Sequence, residues 1–250
     1  MNAKRLLGGL PLLLLALTVT ACTPTPSPTE PPAFDERVEV EVPTPAAAGP
    51  TGALISARLQ SLGVPNAVSA ADRRIIVNLT SGDRVVNDSL FTVAGNTSIR
   101  PVLETAESGA EQGSPVCAQT AFTDPCLSTD PDGVLLSLGP AVVFPEDIAG
   151  ASAESGTTEY ALNLELTEQG ETALTELTSA IACDDDADPR LGILIDGDLF
   201  TVPELALPCG EELGSPVQLA GGFTEEDAKL FAAILAHPGI PAGTVITSRS

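Results

Sequence analysis

The residues here whose types and spacing could do chemistry are few: five cysteines, a single histidine (His237) and two acidic loops. A structural zinc site needs four Cys or His ligands, with paired ligands a few residues apart. No Cys-x-x-Cys pair is present, and one histidine does not complete a set. The run Cys183-Asp184-Asp185-Asp186-Ala187-Asp188 offers the oxygen ligands that calcium takes, and so do Asp130 and Asp132 beside Gly133. Neither has the ligand spacing of an EF-hand loop, so both read as solvated loops and no metal is assigned. No serine sits in Gly-x-Ser-x-Gly, which removes the nucleophile-elbow signal. Gly221-Gly222 precedes a helix start, where backbone N–H groups can hold an anion, but no GxGxxG or P-loop lysine accompanies it. Asp196 stands in an Asp-Gly pair and is expected to shape a turn rather than to act as a catalytic carboxylate. His237, just before Pro238, is expected to complement the dipole at a helix C-terminus. No nucleophile–base or metal constellation emerges, so the chain reads as a binding protein, not an enzyme, with no cofactor.

The N-terminus supplies the one covalent chemistry. Lys4-Arg5 and the apolar run over residues 6–19 form a signal peptide, too short to span a membrane comfortably. It ends Val19-Thr20-Ala21-Cys22, which resembles the lipobox of bacterial lipoproteins. That resemblance implies removal of residues 1–21 and acylation of Cys22, a palmitate-bearing anchor on the outer side of the cell membrane. An ordinary signal peptide cut near Ala21, or an uncleaved anchor, is the alternative. Setting Cys22 aside leaves Cys117, Cys126, Cys183 and Cys209, an even number in an oxidising setting. Three pairings are possible; short local spacing favours Cys117 with Cys126, which leaves Cys183 with Cys209. Residues 22–50 read as a Pro/Thr-rich tether interrupted by a strand at 37–42, where Val38, Val40 and Val42 alternate with charged residues. A net charge of −23, with only 11 Lys and Arg, excludes nucleic acid as a partner.

The elements that must position these residues are legible along the chain. The pattern predicts a helix over 52–62, a strand over 67–79 interrupted near Asp72-Arg73, a weak helix over 81–91 and a strand over 98–102. Residues 104–132 read as a polar loop carrying two cysteines. An alternating strand over 157–166 leads to Thr167, the cap of a helix reaching Ala182. Leu191 to Val202, two apolar runs around Asp196-Gly197, is the strongest hairpin signal, because Asp-Gly tolerates the positive φ angles of a type I′ turn. Gly221-Gly222 is expected as a turn into a helix capped by Thr224, with Asp227 at the capping-box position and Leu230, Phe231, Ile234 and Leu235 inward. A last strand is expected near 245–247. Short strands and helices in this rhythm suit an α+β fold of ferredoxin-like type.

The same order resembles a family. Ile193-Leu194-Ile195-Asp196-Gly197, Gly221-Gly222-Phe223-Thr224 and the run from Ile234 to Gly243 (ILAHPGIPAG) are similar to the first extracytoplasmic region of the protein-export subunit SecD, including its head subdomain. Ser61-Leu62-Gly63-Val64, Ile99-Arg100-Pro101-Val102 and Leu138-Gly139-Pro140-Ala141-Val142 follow in matching order. The resemblance implies two small sandwich subdomains with mostly antiparallel sheets. These are a base over 51–104 and a head over 136–238, with a cysteine-containing loop at 105–135 between them and a return strand at 239–250. It also implies contact with exported polypeptides or the Sec translocon. Nine residues follow Pro241, so the family's membrane helices are not expected here, and binding without proton-driven motion is. The alternative is a cell-envelope scaffold lipoprotein that reuses the fold for an unrelated ligand.

Overall fold

The computed structural model describes residues 33–82, 86–105, 115–156, 160–211, 213 and 216–250. The expected signal peptide over 1–21, Cys22 and the first part of the expected tether lie outside the described residues. Chain from 32 to 250 forms one compact unit.

Its first layer is built from β1 (Glu36–Glu41), α1 (Pro45–Ser61), β2 (Asn66–Ala71), β3 (Arg74–Leu79) and, from the far end of the chain, β12 (Val245–Arg249). The sheet order is β12-β1-β3-β2, that of a ferredoxin-like βαββ…β chain whose last strand returns beside the first. The valine alternation of β1 works as read: Val38 and Val40 are wholly buried while Arg37 is exposed. Burying each valine contributes roughly 1.5–3 kcal/mol.

Two expectations about this stretch need correction. Pro45 to Pro50 are helix and not tether, and α1 begins at Pro45 rather than near Gly52. Pro45 occupies the first turn, where a missing N–H costs nothing, and Ala46-Ala47-Ala48 favour helix strongly. Pro50 forfeits one helical hydrogen bond, but the helix is held by packing: Gly52 lies so close to β2 that a Cβ would meet Val68 Cγ1 at 3.1 Å. The weak helix over 81–91 shrinks to α2 (Ser89–Thr92), and residues 83–85 lie outside the described residues.

The second sheet runs β10-β9-β4-β6-β5, from β4 (Thr97–Thr105), β5 (Cys126–Thr129), β6 (Leu135–Leu138), β9 (Leu191–Ile195) and β10 (Asp198–Thr201). β4 therefore sits between β9 and β6, not in the base sheet. The supposed polar loop contains β5 and a 3₁₀ turn at Cys117–Gln119. The third sheet is β11-β8-β7, from β7 (Ile148–Ser155), β8 (Tyr160–Leu166) and β11 (Val217–Phe223). β7, a run of small residues, gave no strand signal in the sequence. All pairings between these strands are antiparallel, and the fold is α+β as expected.

Two longer helices complete it. In α3 (Glu168–Ala182), Thr167 Oγ1 accepts from the Gly170 N–H at 3.2 Å. In α4 (Glu225–Ala236), Thr224 Oγ1 accepts from the Asp227 N–H at 3.1 Å and its hydroxyl donates to Asp227 Oδ2 at 2.7 Å. Ile234 and Leu235 are buried as read, together with Ala228, Ala232 and Ala233, while Leu230 and Phe231 are partly buried. Gly221 and Gly222 are not a turn. Their backbone lies within β11, where pairing to β8 skips from Leu219 to Phe223. Glycine marks a break in strand register here, another of its usual roles.

Candidate functional site

The hairpin turn organises the junction where α1, α2 and α4 meet. Asp196 and Gly197 take φ values of 54° and 87°, both positive as a type I′ turn requires. The Asp196 carboxylate accepts from the N–H groups of Gly95 and Asn96 at 3.1 and 2.9 Å, and its own N–H donates to the Asn96 carbonyl at 2.9 Å. The carboxylate thus clasps one turn to another, as expected of a backbone role. Gly197 is pressed against the 3₁₀ turn, where an added Cβ would lie 2.4 Å from Ala118 Cα.

Arg58 is the residue that sequence reasoning passed over. It stands among Leu54, Ile55, Leu59 and Leu62 at helical spacing, and it is 0% exposed. Among the described residues its guanidinium touches no carboxylate. It donates instead to five carbonyls: Leu90 within α2, Val93 and Ala94 just after it, and Ile234 and His237 at the end of α4, at 2.8–3.5 Å. The last carbonyls of a helix lack intrahelical partners, so one side chain of α1 caps α4. Burial draws the guanidinium down to about 10, opposed by the negative charge of Asp196.

His237 does not serve the helix dipole as expected. Arg58 has taken that place, and the ring Nε2 lies 3.0 Å from Ser61 Oγ on α1. Burial, and then the Arg58 charge, hold the imidazole below its ordinary value, which favours the neutral ring.

Beside this junction opens a groove of about 690 Å³ between the end of α1, the α2 turn and the first turns of α4. Leu62, Val64, Leu90 and Leu230 make its apolar side, and Glu225, Glu226 and Lys229 its charged rim. Glu225 pairs with Lys229 and accepts from Tyr160, and these partners hold its carboxyl below the usual range. Phe200, Phe223 and Phe231 interlock, with ring centroids 4.7–6.3 Å apart, and so fix α4 against β10 and β11. Such a groove can take apolar side chains of a partner, with polar groups only at its edge.

The four cysteines form two bridges, Cys117–Cys126 and Cys183–Cys209. The first pair is buried and the second exposed. Arg100, 1% exposed, braces the first bridge's loop by donating to the carbonyls of Asp124, Gly139 and Ala121 at 2.8, 2.9 and 3.4 Å. Carboxylates of the acidic loops are occupied locally: Asp130 accepts from the N–H groups of Asp132 and Val134, Asp184 from that of Asp186, and Asp188 pairs with Arg190. Among the described residues no group of three or more His, Cys, Asp or Glu is arranged to hold a metal ion, and no helix is long and apolar enough to cross a membrane.

Residues 126–242 match the family model described as SecDF, P1 head subdomain, a little under half of the chain. Two solved structures resemble most of the chain. One, titled "Crystal structure of SecDF in Super-membrane-facing form", has 19% identity and a TM-score of 0.53, over 86% of this chain and 30% of that one. The other, titled "Structure and function of a membrane component SecDF that enhances protein export", has 19% identity and a TM-score of 0.51, over 85% of this chain and 98% of that one. The chain therefore spans under a third of the first SecDF chain it matches, and the likeness is one of fold. No curated protein matches the chain in sequence.

Proposed function

We propose that this chain is an extracytoplasmic domain, lipid-anchored through Cys22, that contacts exported polypeptides or the translocon delivering them, as an accessory to protein export. It holds and does not pull: proton-driven motion is no part of its role. The observation that carries this reading is the match of residues 126–242 to the SecDF P1 head subdomain. Three features of the molecule support it. Lys4-Arg5 and the apolar run over residues 6–19 ahead of Cys22, together with two disulfides, suit the oxidising side of a membrane. The groove beside α4 suits apolar side chains of an unfolded chain. The strongly acidic surface keeps the body soluble and repels other acidic polymers.

The test joins anchor and activity. Cells making the protein with Cys22→Ser should lose labelled palmitate from it and should process exported precursors more slowly in a pulse-chase. Normal precursor processing in cells lacking the protein, with a defect confined to the envelope, would move the assignment to an envelope scaffold.

A further inference from the structure

Strand edges carry unpaired N–H and C=O groups, and proteins blunt them with bulges, charges, prolines or covering elements, because a bare edge recruits another strand. Among the described residues the three sheets have six edges, and five of these are blunted. β12 shifts register against β1 and carries Arg249, which pairs with Glu36 and Asp88. β10 and β11 shift register against their neighbours, and β7 does so beneath α4. β5 is covered on its outer side, where the Leu127 N–H donates to the Pro115 carbonyl at 2.9 Å.

β2 is the exception. It pairs with β3 in unbroken register from Asn66↔Leu79 to Ala71↔Arg74, and its sequence Asn66-Ala67-Val68-Ser69-Ala70-Ala71 holds no charge and no proline. The Thr80 N–H donates to the Pro65 carbonyl, which sets the alternation. Ala67, Ser69 and Ala71 turn their backbone groups inward to β3, so those of Asn66, Val68 and Ala70 point outward. Among the described residues these three N–H and three C=O groups have no partner within the protein. The flank of α1 beside them is small and uncharged: a Cβ on Gly52 would meet Val68 at 3.1 Å and Ala70 at 3.8 Å, Ser56 donates to the Asn66 side chain at 2.7 Å, and a Cβ on Gly49 would meet nothing within 4 Å. Side chains of an added strand thus have room on the helix side.

We infer that β2 is a strand-addition site for an extended polypeptide segment of neutral or basic character. Recognition would run through the main chain, with alternate side chains seated against α1. Such a site accepts many sequences, which suits an unfolded client. The inference rests on the export reading only for the source of that client. A second copy of this chain is disfavoured as the occupant, because two bodies of charge −23 repel.

The test uses the full chain and a fluorescent ten-residue peptide of alternating valine and threonine with a lysine at each end. Fluorescence anisotropy reads its binding to the parent and to Ala70→Pro, which removes one outward donor and leaves the bonds to β3 intact. A peptide N-methylated at alternate residues and one with glutamate ends serve as companions. Binding should weaken at least about tenfold with Ala70→Pro and with the N-methyl peptide, and several-fold with the acidic one. Thermal unfolding of Ala70→Pro should match the parent, and amide exchange at Asn66, Val68 and Ala70 should slow when the parent binds. Equal binding by parent and variant, unchanged exchange at those amides, or a parent dimer that Ala70→Pro dissolves would overturn the inference. Peptide capture at β2 together with normal precursor processing in cells lacking the protein would sink the export reading alone. Slowed processing without capture at β2 would sink this inference alone.

Discussion

Replacing Arg58 with methionine removes the guanidinium while keeping most of the buried stem. Five carbonyls lose a donor. Two of them keep another partner, since Ala94 O also accepts from the Gly239 N–H and Ile234 O from the His237 N–H. Three are stranded, that of buried Leu90 and those of half-buried Val93 and His237, and each unsatisfied carbonyl costs roughly 1–3 kcal/mol. Against this stands relief of the buried charge. The fall of the guanidinium from 12.5 to about 10 in the folded state corresponds to roughly 3 kcal/mol of burial penalty that methionine does not carry. The balance is a loss of about 3 kcal/mol, or some 6–12 °C in melting temperature for a body of this size. Circular dichroism of thermal and urea unfolding, parent beside Arg58→Met, measures it. A loss under about 0.5 kcal/mol would refute the claim that this side chain holds the α4 terminus.

Other outcomes follow from single contacts. Gly197→Ala must relieve a 2.4 Å approach to Ala118 at a φ of 87°, so it should cost more than about 2 kcal/mol in urea unfolding, and a neutral result would contradict the turn geometry. The His237 imidazole should titrate below 6.5 by proton NMR. Because its folded value is depressed, its contribution to stability is complete above pH 6.5 and is lost as pH falls and the unfolded chain takes up the proton first. A value above 6.5 would instead restore the dipole role expected from sequence. Removing a disulfide should cost about 2.6 kcal/mol for the 9-residue separation of Cys117–Cys126 and about 3.5 for the 26-residue separation of Cys183–Cys209, compared as paired Cys→Ser variants. The reverse order would mean that native packing, rather than loop closure, dominates.

What was legible in the sequence was what local chemistry decides. Asp196-Gly197 had to turn, Thr224 and Thr167 had to cap, and the valines of β1 had to face inward, because φ preference, hydroxyl geometry and alternation act within a few residues. The illegible parts were decided elsewhere in the chain. Pro45 to Pro50 reads as tether until β2 lies against Gly52, and Ile148 to Ser155 reads as loop until β8 and α4 sandwich it. Gly221-Gly222 looks like a turn because sequence alone cannot distinguish a turn from a break in strand register. Arg58 did leave a signal, a charge among apolar positions at helical spacing, but its five acceptors come from segments at least 32 residues away. The bare edge of β2 could not be seen at all without knowing that every other edge is blunted.

The most direct measurement places a photoreactive amino acid at Glu226, on the rim of the groove beside α4, and illuminates cells in which an exported chain is stalled during passage. The account predicts a crosslink between this protein and the stalled chain that disappears when the chain is released. Crosslinks only to envelope polymers or to proteins unconnected with export, unchanged by stalling, would contradict it.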